Sequence, residues 1–157
     1  MSLMLSYQKA IRAARAAGRE AEFSAVPSPA AGASLLASRQ RDGLVSSALA
    51  ADLEALHGVA SIDRKIAVKR DTLIPKYAGY VEQYREAGTP HELVGYFLVW
   101  LFDCGLIERA LDLAGWCAEH GQGLPGRFKT SLPAFVARQI LDWSQQAFDE
   151  GASRSEE

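Results

Sequence analysis

The sequence has few of the residues that build disulfides and metal sites. It contains two cysteines, Cys104 and Cys117, and three histidines among 157 residues. Both cysteines lie in apolar helical sequence, so we expect reduced core thiols rather than a disulfide framework. Zinc is the alternative for Cys104, Cys117 and His120, but a structural zinc site needs four ligands at short paired spacings, and only the last two residues are close.

Long apolar runs are also missing. No run approaches the roughly 18 to 20 residues that a membrane-spanning helix needs, and the N-terminus has no apolar segment typical of a secretory signal. No GxxxxGK[ST] phosphate loop is present, and the histidines have no Ser or Cys nucleophile at a telling spacing. We therefore expect a cytoplasmic protein without membrane contact, cofactor or ATPase activity.

The net charge of −2 hides an asymmetry between the two halves of the chain. Residues 1–76 carry 11 Lys and Arg against 7 Asp and Glu, whereas residues 77–157 carry 6 against 12. A basic front half and an acidic back half indicate two kinds of partner.

Apolar residues recur at helical spacing and no useful strand-like alternation appears, so the predicted class is all-α. We expect one long helix, a helical hairpin and a compact bundle of about three further helices. The predicted parts are a basic helical arm at 1–23, a flexible linker at 24–43, a helical core at 44–150 and a disordered tail at 151–157.

Local signals predict where the helices begin and end. The long helix should run from about residue 42 to 74, the hairpin helix from 76 to 87 with Gly88 as its stop, and the next helices over 92–102 and 106–120. Thr89 and Glu92 suit a capping box, and Thr130 or Ser131 suits the cap of the last helix. The residues of that helix predicted to face the core are Phe135, Val136, Ile140, Trp143 and Phe148.

Basic side chains are the leading candidates for ligand contact. They recur on one face of the arm and on the long helix, where they could neutralise phosphates. The alternative is that long cationic side chains solubilise exposed helices. The predicted DNA-binding residues are Lys9, Arg12, Arg15, Arg19, Arg64, Lys65, Lys69 and Arg70. Arg127 and Lys129 could contact phosphate or stabilise a turn.

Three carboxylates, Glu108, Asp112 and Glu119, share one helix face at spacings of four and seven. Paired carboxylates can hold divalent ions for phosphodiester hydrolysis, which suggests a nuclease site. The alternative is the solvated face of an amphipathic helix. We assign no catalytic or metal-ligating residue.

Four segments together resemble a known family. They are Ser61-x3-Lys65-x3-Lys69-Arg70-Asp71-x2-Ile74-Pro75-x-Tyr77, the apolar helix ending Trp100-Leu-Phe-Asp103, Gly105-x4-Ala110-Leu-x-Leu-Ala114, and Leu124-Pro-Gly-Arg-Phe-Lys129. Over about residues 50–148 the chain resembles small terminase subunits of tailed bacteriophages, of the GpM type.

The resemblance implies a viral genome-packaging factor in the cytoplasm of the host cell. Such a factor binds double-stranded viral DNA at the packaging start, forms a homo-oligomeric ring and regulates the large terminase subunit, which carries the ATPase and nuclease. Members are often labelled terminase endonuclease subunit. The alternatives are a metal-dependent endonuclease and a helical protein-binding adaptor without DNA affinity.

Overall fold

The computed structural model describes residues 35–154, and every regular element within them is helical. The all-α prediction is confirmed. None of the helices in this range combines the length and apolar character needed to cross a bilayer. The basic arm predicted at 1–23 lies outside the described residues, as does the linker up to residue 34.

The described chain divides into two compact units, one up to Val68 and one from Lys69. The first contains α1 (Leu35–His57) and α2 (Ile62–Val68). In α1, Val45, Leu49 and Leu56 are buried, as their helical spacing predicts. Because α1 begins at Leu35, residues 35–43 of the predicted linker are helical.

The uninterrupted helix predicted over 42–74 is wrong, because α1 ends at His57. Gly58 N–H donates to the Glu54 carbonyl at 3.2 Å and closes the last turn. Ser61 then begins α2: its carbonyl accepts from Lys65 N–H at 3.0 Å and its hydroxyl accepts from Arg64 N–H at 3.5 Å. A glycine stop followed by a serine cap is a local signal that apolar periodicity alone does not reveal.

The second unit begins with a π-helical turn, Lys69–Leu73, that runs directly into α3 (Ile74–Ala87). Pro75 lies in the first turn of α3 and has no N–H to offer the carbonyl four residues earlier. The wider π turn bonds each carbonyl to the residue five positions on, which accommodates the proline inside a continuous helical run.

The core of the second unit is built around α4 (Glu92–Asp103), which packs against α3 and α5 (Ile107–Glu119). Nine of the twelve residues of α4 are buried, as its almost entirely apolar sequence predicts. The Trp100 side chain is fully buried, and its ring lies 5.9 Å from that of Tyr77 on α3.

Glycines end two of these helices as predicted. Gly88 after α3 and Gly105 after α4 have φ of 62° and 70°, left-handed values that side chains disfavour. The start of α4 differs from the prediction, because the cap is His91 and not Thr89. The His91 Nδ1 accepts a hydrogen bond from Leu93 N–H at 3.1 Å, while Thr89 bonds back to the Ala87 carbonyl at 3.3 Å.

The last helix, α6 (Leu132–Arg154), is capped by Ser131, whose hydroxyl accepts from Ala134 N–H at 3.4 Å. Phe135 is buried as predicted, but Trp143 and Phe148 are 46% and 71% exposed, so their predicted inward orientation is wrong. The 23 residues of α6 span about 35 Å, whereas the 13 of α5 span about 20 Å. The far half of α6 therefore extends past its partner, and residues 151–154 of the predicted tail are helical.

Candidate nucleic-acid interface

Lys69 joins the π turn to the end of α4 through an ion pair. Its Nζ lies 2.6 Å from Asp103 Oδ2, and the two side chains are only 14% and 34% exposed. A pair this close and this shielded is screened less by salt than a surface pair. Lys69, one of the predicted DNA-binding residues, therefore already holds a carboxylate of its own chain.

Arg70 is also paired within the chain. Its Nε donates to Asp71 Oδ1 at 3.0 Å, and this hydrogen bond raises the pKa of the guanidinium. Both side chains are about half exposed, so the pair is weak and exchangeable. The thiol of nearby Cys104 is half-buried, and burial, followed by the charge of Asp103, raises its pKa.

The other predicted DNA-binding residues fall into two groups. Arg64, exposed, and Lys65, half-buried, lie on α2 in the first unit. The remaining four, Lys9, Arg12, Arg15 and Arg19, lie outside the described residues.

The predicted carboxylates Glu108, Asp112 and Glu119 do not form a cluster that could hold a metal ion. Asp112 Oδ2 lies 2.9 Å from an Nη of Arg85, which also contacts Glu82 at 3.3 Å. Glu108 and Asp112 line a cleft of about 360 Å³ between α3, α4 and α5, and Glu119 does not. A guanidinium next to Asp112 opposes a divalent cation at the same carboxylate.

Cys104, Cys117 and His120, the residues considered for zinc, each lie in a different environment. Cys104 and Cys117 are free thiols, and burial raises the pKa of Cys117 to about 11. The His120 ring stacks on Trp116 with centroids 4.3 Å apart, and its Nδ1 lies 2.9 Å from the Trp116 carbonyl. Within residues 35–154, no three His, Cys, Asp or Glu are arranged to hold a metal ion.

The loop between α5 and α6 is held in place by hydrogen bonds and close packing. Gln122 is buried and bridges two parts of the chain: its Oε1 accepts from His91 N–H at 2.8 Å, and its Nε2 donates to the Gly123 carbonyl at 2.8 Å. Sequence reasoning missed both His91 and Gln122. The only local signal was a glutamine between two glycines.

Gly95 on α4 lets this loop approach the helix. A Cβ there would lie 3.0 Å from the Gly123 carbonyl oxygen and 3.1 Å from Pro125 Cδ, closer than ordinary contact. Farther along, Phe128 packs edge-on against Phe135, with centroids 5.6 Å apart. The Leu-Pro-Gly segment singled out in the sequence is thus fixed against both α4 and α6.

Arg127 is exposed, and its guanidinium carbon lies 5.5 Å from the Tyr96 ring centroid and 5.0 Å from that of Phe128. These distances are typical of cation–π contacts. Lys129 is also exposed. The two open readings, phosphate contact and turn stabilisation, are both compatible with this placement of Arg127.

Comparison with known families decides what kind of protein this is. Residues 46–156, most of the chain and nearly all of its described part, match the family described as phage small terminase subunit. The chain belongs to that family. The resemblance to small terminase subunits is thereby confirmed.

Two curated phage proteins are similar to this small terminase family member. One, from Haemophilus phage HP1 (strain HP1c1), is named probable terminase, endonuclease subunit; it is 34% identical over 108 residues, covering 68% of this chain and 38% of the relative. The other, the terminase, endonuclease subunit of Escherichia phage P2, is 27% identical over 107 residues, covering 67% and 43%. The chain thus spans about two fifths of each relative's length. No solved structure matches it.

Proposed function

We propose that this protein binds double-stranded viral DNA at the packaging start site, assembles with further copies of itself, and regulates the large terminase subunit in the host cytoplasm. The observation that carries the proposal is the family match over residues 46–156. The uneven charge, basic in front and acidic behind, supports separate surfaces for DNA and for a protein partner.

For the DNA contacts, we propose the basic arm residues Lys9, Arg12, Arg15 and Arg19 together with Arg64 and Lys65 on α2. Exposed cations bind phosphates by releasing counterions, without sequence preference. Lys69 and Arg70 were predicted for the same role, but each would have to exchange a carboxylate of its own chain for a phosphate. We therefore give Lys69 a mainly structural role, while the exposed and weakly paired Arg70 stays a candidate for DNA contact.

For self-assembly, support comes from apolar side chains that remain exposed. Leu141 and Phe148 on α6 are 67% and 71% exposed, and Leu44 on α1 and Ile62 on α2 are also exposed. Large exposed apolar side chains on helices are frequent at protein interfaces. A ring is the assembly that the family resemblance implies.

Two other functions compete with this proposal. The names of the two relatives suggest an endonuclease function. Its acidic residues would be Glu108, Asp112 and Glu119. The ion pair between Asp112 and Arg85 disfavours a metal there. Magnesium-dependent cleavage by the purified protein, abolished by Asp112→Ala, would establish the nuclease instead. A helical adaptor without DNA affinity is the third function.

The deciding experiment combines DNA binding with the mass of the native assembly. We expect the purified protein to shift a duplex containing the packaging start at physiological salt, with an affinity that falls steeply as salt rises. Charge reversal of Arg12, Arg15 and Arg19 should weaken binding and flatten the salt dependence. Native mass spectrometry should give a closed oligomer; a monomer at micromolar concentration would contradict the assembly, and absence of a shift would favour the adaptor.

A further inference from the structure

The acidic back half of the chain contains one segment without acidic residues. Residues 120–141 include no Asp or Glu, although Glu119 and Asp142 lie directly on either side. The same 22 residues hold Arg127, Lys129 and Arg138, half of the Lys and Arg found in residues 77–157. A local excess of positive charge therefore lies within a region that is acidic overall.

The loop at the centre of this segment has a fixed backbone. Gln122 ties it to the start of α4, Gly95 allows close contact with α4, and Phe128 N–H donates to the Pro125 carbonyl at 2.9 Å. Charges on a fixed backbone lose less conformational entropy on binding than charges on a flexible tail.

Among the described residues, Arg127 is held by aromatic rings and not by a hydrogen-bond acceptor. Its guanidinium carbon lies over the rings of Tyr96 and Phe128, at 5.5 Å and 5.0 Å from their centroids. Within residues 35–154, neither Arg127 nor Lys129 has a carboxylate within ion-pairing distance. They differ in this respect from Lys69, which lies 2.6 Å from Asp103.

The neighbouring residues favour phosphate over a protein surface. Gly126, Thr130 and Ser131 flank the two cations, and small and hydroxyl residues are frequent in contacts with nucleic-acid backbones. A protein interface would ordinarily offer a large apolar side chain at its centre. Here Tyr96 and Phe128 are partly buried and already contact Arg127.

We propose that Arg127 and Lys129, presented on the rigid loop between α5 and α6, bind the phosphate backbone of duplex DNA as a second contact separate in sequence from the basic arm and α2. The inference rests on the proposed DNA-binding function and adds a site to it. Because only phosphates are contacted, the site contributes affinity without reading sequence.

The test compares the full chain with the double variant Arg127→Gln/Lys129→Gln and with Arg109→Gln as a control. Arg109 is an exposed arginine on α5, beside the acidic Glu108, so its loss changes the net charge without touching the loop. Fluorescence anisotropy with a labelled 30-base-pair duplex of arbitrary sequence gives the dissociation constant over a series of KCl concentrations.

We expect the double variant to bind about tenfold more weakly near 0.15 M salt and to lower the slope of log affinity against log salt by roughly one to two, about 0.9 for each lost phosphate contact. Arg109→Gln should stay within about twofold of the parent. Because Arg127 also packs on Tyr96, Lys129→Glu alone provides a variant without that packing role, and it should weaken binding as well.

The outcomes distinguish a failure of the loop site from a failure of the proposed DNA-binding function. If the parent binds the duplex and the double variant and Lys129→Glu match Arg109→Gln in affinity and slope, the loop site is overturned while the DNA-binding function stands. In that case the loop would serve an acidic protein partner or none. If the parent itself does not bind DNA, the proposed function fails, and the loop site fails with it.

Discussion

Two pairs of cations in the second unit look alike in the sequence and differ in the structure. Lys69 and Arg70 lie beside Asp103 and Asp71, at 2.6 Å and 3.0 Å, whereas Arg127 and Lys129 extend from a loop in a segment without acidic residues. Both pairs lie in segments that carry the family resemblance, the first in Ser61–Tyr77 and the second in Leu124–Lys129. Cations in equally conspicuous motifs can therefore differ, because one pair is held by carboxylates of its own chain while the other keeps its charge available for a ligand.

The physical reason for the difference is that a phosphate must displace whatever each cation already contacts. A phosphate that binds Lys69 must displace Asp103 and leave a partly shielded carboxylate without its partner, which offsets most of the gain. A phosphate that binds Lys129 displaces only water and counterions. Stability measurements at the Lys69–Asp103 pair and at the contacts that hold the loop against α4 test this contrast.

The largest expected change in stability comes from Gln122, which holds the loop between α5 and α6 at the start of α4. Gln122→Ala removes hydrogen bonds to His91 N–H and to the Gly123 carbonyl, both 2.8 Å long and partly buried. Leaving such groups unpaired should lower the free energy of unfolding by about 1–3 kcal/mol. Urea unfolding followed by circular dichroism measures this change. A change below about 0.5 kcal/mol, the size typical of surface substitutions, would show that the loop is not fixed in this way.

Lys69 and Arg70 should contribute unequally to the free energy of unfolding. Lys69→Gln leaves Asp103 without its close partner and should cost about 1–2 kcal/mol, between the values of exposed and buried pairs. Arg70→Gln removes an exposed pair and should cost about 0.5 kcal/mol or less. Equal effects in chemical denaturation would mean that the Lys69 pair contributes no more than a surface contact.

Two glycine substitutions test whether the loop approaches α4 as closely as the structure indicates. Gly95→Ala places a methyl group 3.0 Å from the Gly123 carbonyl and should destabilise by about 1 kcal/mol despite the better helix propensity of alanine. Gly115 on α5 has open space around it, so Gly115→Ala should stabilise by about 0.5–1 kcal/mol. Stabilisation by both, measured as thermal midpoints, would contradict the close contact.

The last prediction concerns the reactivity of the buried thiol and not stability. Burial raises the pKa of Cys117 to about 11, so its reactive thiolate stays scarce up to about pH 9 while the protein is folded. In a Cys104→Ser background, iodoacetamide should modify Cys117 at least about tenfold more slowly at pH 8.5 in the folded protein than in urea. Equal rates would indicate that α5 opens readily.

Much of the fold was predictable because its signals are local. Apolar spacing indicates α4 and α5, Gly88 and Gly105 indicate two of the ends, and Ser131 caps α6. Each of these features depends on residues within one or two turns.

One error, the missed break between α1 and α2, had a local signal in Gly58 and Ser61, whereas the others arise where distant parts of the chain decide. His91 begins α4 with help from Gln122, 31 positions away, and Lys69 meets Asp103 34 positions away. Trp143 and Phe148 have core-like spacing, but α6 is longer than the helix on which it packs. Periodicity shows which residues share a face and does not show whether another helix reaches that face.

The central claim is that Lys69 stabilises the fold through Asp103, whereas Arg127 and Lys129 bind DNA. The most direct measurement applies both assays to one matched pair, Lys69→Gln and Lys129→Gln, each of which removes one lysine charge. We predict that Lys69→Gln lowers the free energy of unfolding and leaves the salt slope of DNA binding unchanged, and that Lys129→Gln lowers the slope by roughly one and leaves stability unchanged. The reverse pattern, or a loss of slope in Lys69→Gln alone, would contradict the claim.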